Sequence, residues 1–428
     1  MFIRLPAVGL SLIGVVLAVA MRDTDPALLI TVVLALIIVV DAALAPPPAR
    51  LEVSRSGTAS TRVGESASAQ LTITNPTRRQ VSGQIRDAWP PSTGVTPSRH
   101  ALRLPGGSSQ TVDEALTPTR RGTVTSHAIT IRTNGPLGLA GRQRSFPTNW
   151  RIKVLPPFVS RRQIPSRVRQ LRELDGRALL LVRGEGTEFD SLREYVAGDD
   201  VRAIDWRSTA RLGDTVVRTW RPERDRQVVV VLDSGRGGAL RVSDAPAFDA
   251  FIEAALLQSA IAQRAGDRVS VMAFDDDVRA RLVGHSDRAI THTVAQTLAD
   301  VEPTLHATDW TSLPTHIAAI TKRPALVVIL TTLSGAAAST GLFDVIPELK
   351  RSHTVIIAST QADPFDPPAE MDAEAAFNRA AYERAQIEAK NLVRSIERTG
   401  AIVVRASAEE LPVAVVDTYI DLKARGRL

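Results

Sequence analysis

Residues 227–238 read QVVVVLDSGRGG: an apolar run, then Asp233, then a turn of glycines around Arg236. An unbroken apolar run of strand length, unlike an alternating one, marks a strand buried on both faces. The same texture recurs downstream in RVSVMAF (268–274), ALVVILT (325–331), TVIIAS (354–359) and AIVVRA (401–406). Between these runs lie amphipathic stretches of helix length, among them AFDAFIEAALLQSAIAQRAG (247–266) and EAAFNRAAYERAQIEAKNLVRSIERTG (374–400), the second stopped by Gly400. Buried strands alternating with helices predict an α/β domain over 227–428, with a mostly parallel, doubly wound sheet covered on both faces. Ligands of such sheets bind beyond the carboxyl ends of the strands, where the strand order reverses. Asp233 stands at one such end, as do Asp275 to Asp277 and Thr331 with Thr332.

What chemistry the loop after Asp233 supports is narrowed by what it lacks. DSGRGG has neither the glycine–lysine–hydroxyl sequence of a phosphate loop nor the three-glycine dinucleotide fingerprint. GEGTEF at Gly184 is no nucleotide signature either. A nucleophile elbow needs glycine two residues before the serine, and Leu232 holds that place before Ser234. The seven histidines are scattered without zinc spacing. No catalytic constellation emerges, so the expectation is a protein that is not an enzyme.

Composition sets the frame. The 428 residues exceed one ordinary domain, and a hydrophobic fraction of 44% with mean hydropathy +0.00 suits a soluble body carrying a local apolar segment. The absence of cysteine excludes disulfides, thiolate metal sites and a cysteine nucleophile. Net charge is +6, unevenly spread: no carboxylate falls between Glu114 and Glu173, while Arg120, Arg132, Arg142, Arg144, Lys153 and Arg167 lie among the cations there. Such a field favours an anionic partner, with anionic lipid head groups among the candidates. Aromatic residues are only 4% and scarcely interleave with the arginines, which argues against nucleic acid.

At the N-terminus, Leu5 to Met21 is uncharged, and ALLITVVLALIIVV follows from Ala27 to Val40, separated by MRDTDP. The two runs, near the short end of the roughly 17–25 residues a span requires, predict a transmembrane helical hairpin over 1–45. Arg4 before it and Arg50, Arg55 and Arg62 after it place both ends in the cytoplasm by the positive-inside rule. A signal peptide cleaved after Ala20 would still leave the second run as an anchor. The expected location is thus the cell membrane, with the soluble body cytoplasmic. Residues 51–156 change character: SASAQLTITN, SHAITIRTN and RIKVL alternate apolar with polar, separated by LPGGSS, TRRG and TNGPLG. Short alternating strands with glycine and proline turns predict an immunoglobulin-like β-sandwich.

The most distinctive stretch lies at 184–233, GEGTEFDSLREYVAGDDVRAIDWRSTARLGDTVVRTWRPERDRQVVVVLD. With Gly186, Glu188, Phe189, Arg193, Tyr195, Gly198, Asp199, Arg202, Asp205, Trp206, Ala210, Arg211 and Glu223, it resembles the signature of the domain of unknown function 58 family. Paired N-terminal spans, RRG and GPLGL in the sandwich, and the ending YIDLKARGRL extend the resemblance along the chain. It implies a von Willebrand factor A-like domain after a family segment at 157–226. It also implies a MoxR-type AAA+ ATPase as partner, in a chaperone-like assembly, and no established enzymatic activity.

Von Willebrand factor A-like domains often hold Mg²⁺ through an aspartate–x–serine–x–serine loop, a threonine and a second aspartate. Here Asp233 matches the first position and Thr308 the second loop, but Gly235 and Gly237 replace both serines and Thr332 the last aspartate. Ser234, Thr331 and Asp309 are the possible substitutes. Mg²⁺ requires near-octahedral oxygen ligation, so the resemblance yields a degenerate metal site, and a bare structural turn is the expectation with Mg²⁺ as the alternative. In the signature, Glu188, Asp199, Asp200 and Asp205 interleave with Arg193, Arg202 and Arg211 beside Tyr195. These charges are read as a structural network first and a partner socket second, and Trp206 as a core residue before an interface anchor. The leading reading is a membrane-anchored cytoplasmic adaptor. A metal-assisted hydrolase centred on Asp233 and an extracellular adhesion protein are the alternatives.

Overall fold

The computed structural model describes the 428 residues except 22–23, 97, 149, 182–187, 222–225, 334–340 and 362–372. Arg22 and Asp23 of the expected inter-helix turn, and Gly186 and Glu223 of the signature, lie outside the described residues. The chain divides into two compact units, Met1–Pro157 and Phe158–Leu428.

The first unit opens with strand β1 (Phe2–Ile3) and helices α1 (Leu5–Met21) and α2 (Thr24–Leu44). The two helices pack together where Gly14 lacks a side chain: a Cβ there would stand 2.6 Å from Leu34 Cδ1. The apolar stretch Leu28–Arg50 is long and apolar enough to cross a membrane, with Leu29, Val32, Leu36 and Val40 exposed. The apolar part of α1, Leu5–Leu17, is shorter. Among the described residues, one of the two expected spans meets the length.

Ten further strands follow: β2 (Glu52–Gly57), β3 (Ser60–Arg62), β4 (Ala67–Thr74), β5 (Val81–Asp87), β6 (Arg99–Leu104), β7 (Ser109–Leu116), β8 (Gly122–Thr125), β9 (Ala128–Asn134), β10 (Ala140–Pro147) and β11 (Arg151–Leu155). They form sheets in the orders β1-β10-β9-β5-β6, β2-β4-β7 and β3-β11-β8. The period-two pattern explains them: Ala67, Ala69, Leu71 and Ile73 are buried while Ser68 and Gln70 are exposed. Leu71, Ile73 and Val112 from one sheet share a core with Val81, Ile85, Leu102, Ile129 and Ile131 from another. Beside that core a polar knot is buried. Asp87 pairs with Arg55 and accepts from Ser126 Oγ at 3.0 Å, and Trp89 Nε1 donates to Asp87 at 3.0 Å and to Glu114 at 2.7 Å. Burial foremost, then neighbouring Asp87, pushes the Glu114 carboxyl up to about 8.

The second unit holds a hairpin, β12 (Glu188–Glu194) with β13 (Val216–Arg221), and a six-stranded sheet. The sheet strands are β14 (Gln227–Asp233), β17 (Arg268–Phe274), β18 (Val278–His285), β19 (Ala325–Leu330), β20 (Thr354–Thr360) and β21 (Ile402–Ala406); β15 (Arg241–Val242) and β16 (Ala245–Pro246) form a separate small ribbon. Their order is β18-β17-β14-β19-β20-β21, parallel except for β18 at one edge. The order reverses at β14, which lies between β17 and β19. Val229 and Val231 point into a cluster with Trp310, Leu313, Ile317, Leu342, Ile346 and Ile396 from helical segments on that face. The helix Ala247–Arg264 packs against β14 and against the helix Leu411–Ala424. Both faces being covered explains why VVVVL is apolar at every position.

Candidate functional site

Reversal of strand order at β14 puts its carboxyl end, Asp233, at the topological switch point where ligands of such sheets bind. The Asp233 side chain turns inward, 2% exposed as a residue. Its Oδ1 accepts Thr308 Oγ1 at 2.5 Å and the Gly235 amide at 2.9 Å, and its Oδ2 accepts Thr331 Oγ1 at 2.6 Å. Burial, the largest influence, pushes the carboxyl above its ordinary range; the two threonines and the Gly235 amide oppose it, and Asp275 adds repulsion. Thr308, which the resemblance placed in the second loop, reaches Asp233. The third-loop residue is shifted by one: Thr331 reaches Asp233, whereas Thr332 Oγ1 donates to Gly237 O at 3.0 Å. Side chains of consecutive residues leaving a strand point to opposite sides, a distinction that spacing alone does not make.

The glycines fit this closed arrangement. A Cβ at Gly235 would lie 2.4 Å from Thr308 Oγ1, and one at Gly237 2.2 Å from Asp233 Oδ2. Of the other possible substitutes, Ser234 is buried and its hydroxyl finds no partner among the described residues, and Asp309 caps its own turn, accepting Thr311 N at 3.2 Å and Thr311 Oγ1 at 2.5 Å. Next door, Asp275 accepts Arg279 Nε at 2.8 Å on each oxygen and Thr304 Oγ1 at 3.0 Å on one. Burial pushes Asp275 up, but Arg279 and the surrounding donors outweigh it and hold the carboxyl below its ordinary range. Among the described residues, no group of three or more His, Cys, Asp or Glu is placed to hold a metal ion.

The signature residues form a small module around the β12–β13 hairpin. Arg193 grips Asp199 in a two-pronged pair, 2.7 and 2.6 Å, and Asp199 also accepts the Val196 amide at 2.9 Å. Asp200 accepts the Arg202 amide at 2.9 Å. Asp205 accepts the Ser208 amide at 2.9 Å, capping the helix Trp206–Leu212, and pairs with Arg218 at 2.6 Å. The Ser208 amide first, then Arg218, holds the Asp205 carboxyl below its ordinary range. Gly213 ends the helix at φ +86, a left-handed cap that glycine adopts without strain. Tyr195 joins through its backbone amide to Thr215 O, Glu188 sits opposite Arg221 in register, and Arg211 is exposed.

The hydrophobic side chains of this module depart from expectation. Trp206 is not a core residue: it is 69% exposed, with Val196, Val201 and Leu212 each at 61%. The hairpin and the short helix are too small to enclose an indole, while the Asp205 cap fixes the position Trp206 takes at the helix start.

Comparison with known proteins follows this division. Residues 191–367 match the family described as Protein of unknown function DUF58, and residues 59–138 match one described as Abnormal spindle-like microcephaly-assoc'd, ASPM-SPD-2-Hydin. Uncharacterized proteins Rv1480 of Mycobacterium tuberculosis and Mb1516 of Mycobacterium bovis are 28% identical over 126 residues, 29% of this chain. The match spans 40% of those relatives' own length. The CARDB domain of the PF1109 protein from Pyrococcus furiosus is 15% identical over 27% of this chain and 91% of its own, at TM-score 0.19. A beta-glucosidase from Listeria innocua is 17% identical over 24% of this chain and 16% of its own, at TM-score 0.17. Likenesses this slight assign no common fold. Residues 191–367, which carry most of the charged signature module and most of the sheet that follows it, are thus similar to the DUF58 family.

Proposed function

We propose that this protein is a membrane-anchored adaptor that binds a protein partner, a MoxR-type AAA+ ATPase in a chaperone-like assembly, and that it is not itself an enzyme. In this reading the second unit is von Willebrand factor A-like, the strands of the first form an immunoglobulin-like sandwich, and both units lie in the cytoplasm. The observation that carries it is the signature module. Asp199 and Asp205 are occupied by internal pairs and a cap, while Trp206 stands out in solvent with Val201 and Leu212 exposed nearby in sequence. An exposed tryptophan next to a fixed capping aspartate suits an interface hot spot.

The loop after Asp233 works here as a hydrogen-bonded lock without a cation. A single carboxylate with both oxygens taken by hydroxyl donors, and glycines where hydroxyl ligands would be needed, does not fit the octahedral oxygen set of Mg²⁺. Asp233 therefore closes the top of the sheet and leaves partner choice to the module. Recovery of the ATPase on the full-length protein tests the reading. Wild type retains it and Trp206→Ala does not, whereas equal recovery, or none by wild type, contradicts it.

A further inference from the structure

At the end of α2 the apolar run stops at Asp41, whose carboxylate is completely buried and clamped by three backbone amides. Leu137 N reaches Oδ1 at 2.7 Å, and Leu139 N and Ala140 N reach Oδ2 at 2.8 Å each. The first sheet is thereby held at the helix end, and arginines gather there. Arg142 donates to Ala42 O at 3.1 Å and Ala43 O at 2.9 Å, and Arg79 donates to Leu44 O at 3.2 Å. These guanidiniums meet the negative end of the helix dipole at the level where an apolar span leaves the bilayer.

Beside this junction opens a cleft of about 530 Å³ with two chemically different walls. One is apolar, formed by Val39, Ala42, Ala43 and Pro47, and Val39 belongs also to the exposed, lipid-facing side of α2. The other carries Arg142 and Arg144 on β10. Among the described residues lining the cleft none is acidic. A guanidinium has five N–H donors, and Arg142 directs two at the helix carbonyls, which leaves others for a phosphate. Arg144 is exposed, its guanidinium 5.4 Å from the Phe146 ring.

We propose that this cleft binds the head group of an anionic phospholipid. Its phosphodiester lies against Arg142 and Arg144, and its glycerol and upper acyl chain lie along Val39, Ala43 and Pro47. The continuity of the apolar wall with the lipid-facing side of α2 selects a membrane lipid over a free anion. Two cations and no carboxylate select a lipid of net negative charge over a zwitterionic one. The bound lipid would fix the first unit's orientation on the membrane. This inference rests on the membrane reading of α2.

The test uses the full-length chain, purified in detergent and stripped of lipid. It is titrated with dioctanoyl phosphatidylglycerol, dioctanoyl phosphatidylcholine or inorganic phosphate, and binding is read by native mass spectrometry. Phosphatidylglycerol is expected to bind at least tenfold more tightly than phosphatidylcholine. Arg144→Gln is expected to weaken it about fivefold, the usual worth of one basic residue at an anionic membrane. Ala43→Phe, which fills the cleft, is expected to abolish the preference while leaving lipid-free thermal unfolding unchanged. Equal binding of the two lipids, wild-type binding by both variants, or inorganic phosphate binding as tightly as phosphatidylglycerol overturns the proposal. Retention of the chain in carbonate-washed membranes separates the two readings. A retained chain without the lipid preference defeats only the head-group site, and a chain that washes off defeats the anchor itself.

Discussion

Asp233 carries three donors on two oxygens in a space where a Cβ on either neighbouring glycine would collide with the acceptor or its donor. Removing one donor strands a buried carboxylate, at a typical cost of about 1–3 kcal/mol. Thr308→Val and Thr331→Val should each lower the unfolding free energy, read from denaturant titration, by that amount, and Asp233→Asn, which removes the charge burial disfavours, by less. Restoring serine at Gly237 should destabilise the protein without creating a magnesium-dependent shift in melting temperature, as calorimetry with and without Mg²⁺ would show. Asp233 was legible in the sequence as the end of a buried strand, and Thr308 only through the family resemblance. Thr331 was not separable from Thr332, since only the direction in which the strand leaves the sheet decides which hydroxyl faces Asp233.

Among elements, the buried strands were the easiest to read, because continuous apolar runs leave few alternatives to a covered parallel sheet. The knot of Arg55, Asp87, Trp89 and Glu114 was not visible, since its members lie on strands far apart in sequence. It has a pH consequence. Glu114 in the folded unit holds its proton up to about 8, against an ordinary value of 4.5. The stability tied to that proton is complete below the unfolded value and lost as pH rises through the folded one. The first unit's melting temperature should therefore fall between about pH 4.5 and 8, and Glu114→Gln should flatten the decline. The signature module was legible as a charge network but not in its packing. An indole among charges reads as core by residue type, whereas a hairpin joined to a seven-residue helix has no interior large enough for it. Trp206→Ala should consequently leave stability within about 0.5 kcal/mol, the usual range for a surface change. Asp205→Ala, which removes the cap and the Arg218 partner together, should unfold the module's helix, and amide exchange over 206–212 would detect it.

For the whole molecule, the chain joins an apolar N-terminal helix, a unit of mostly antiparallel strands and an α/β unit with a mostly parallel sheet, preceded in sequence by the signature module. At this level the texture that sequence offers is uncharged runs, then alternation, then continuous strands spaced by helices. Sequence did not reveal that the apolar helix and the first sheet are joined through Asp41, because that clamp is made by three backbone amides, which carry no sequence signal. Asp41→Ala should loosen the junction and increase protease cleavage between α2 and β2 without altering the second unit. The adaptor account is tested most directly by the affinity of the full-length protein, held in lipid nanodiscs, for a MoxR-type ATPase. Wild type should bind saturably, and Trp206→Ala should bind about thirtyfold more weakly, the effect of losing roughly 2 kcal/mol at a hot spot. Equal affinities for the two proteins would contradict it.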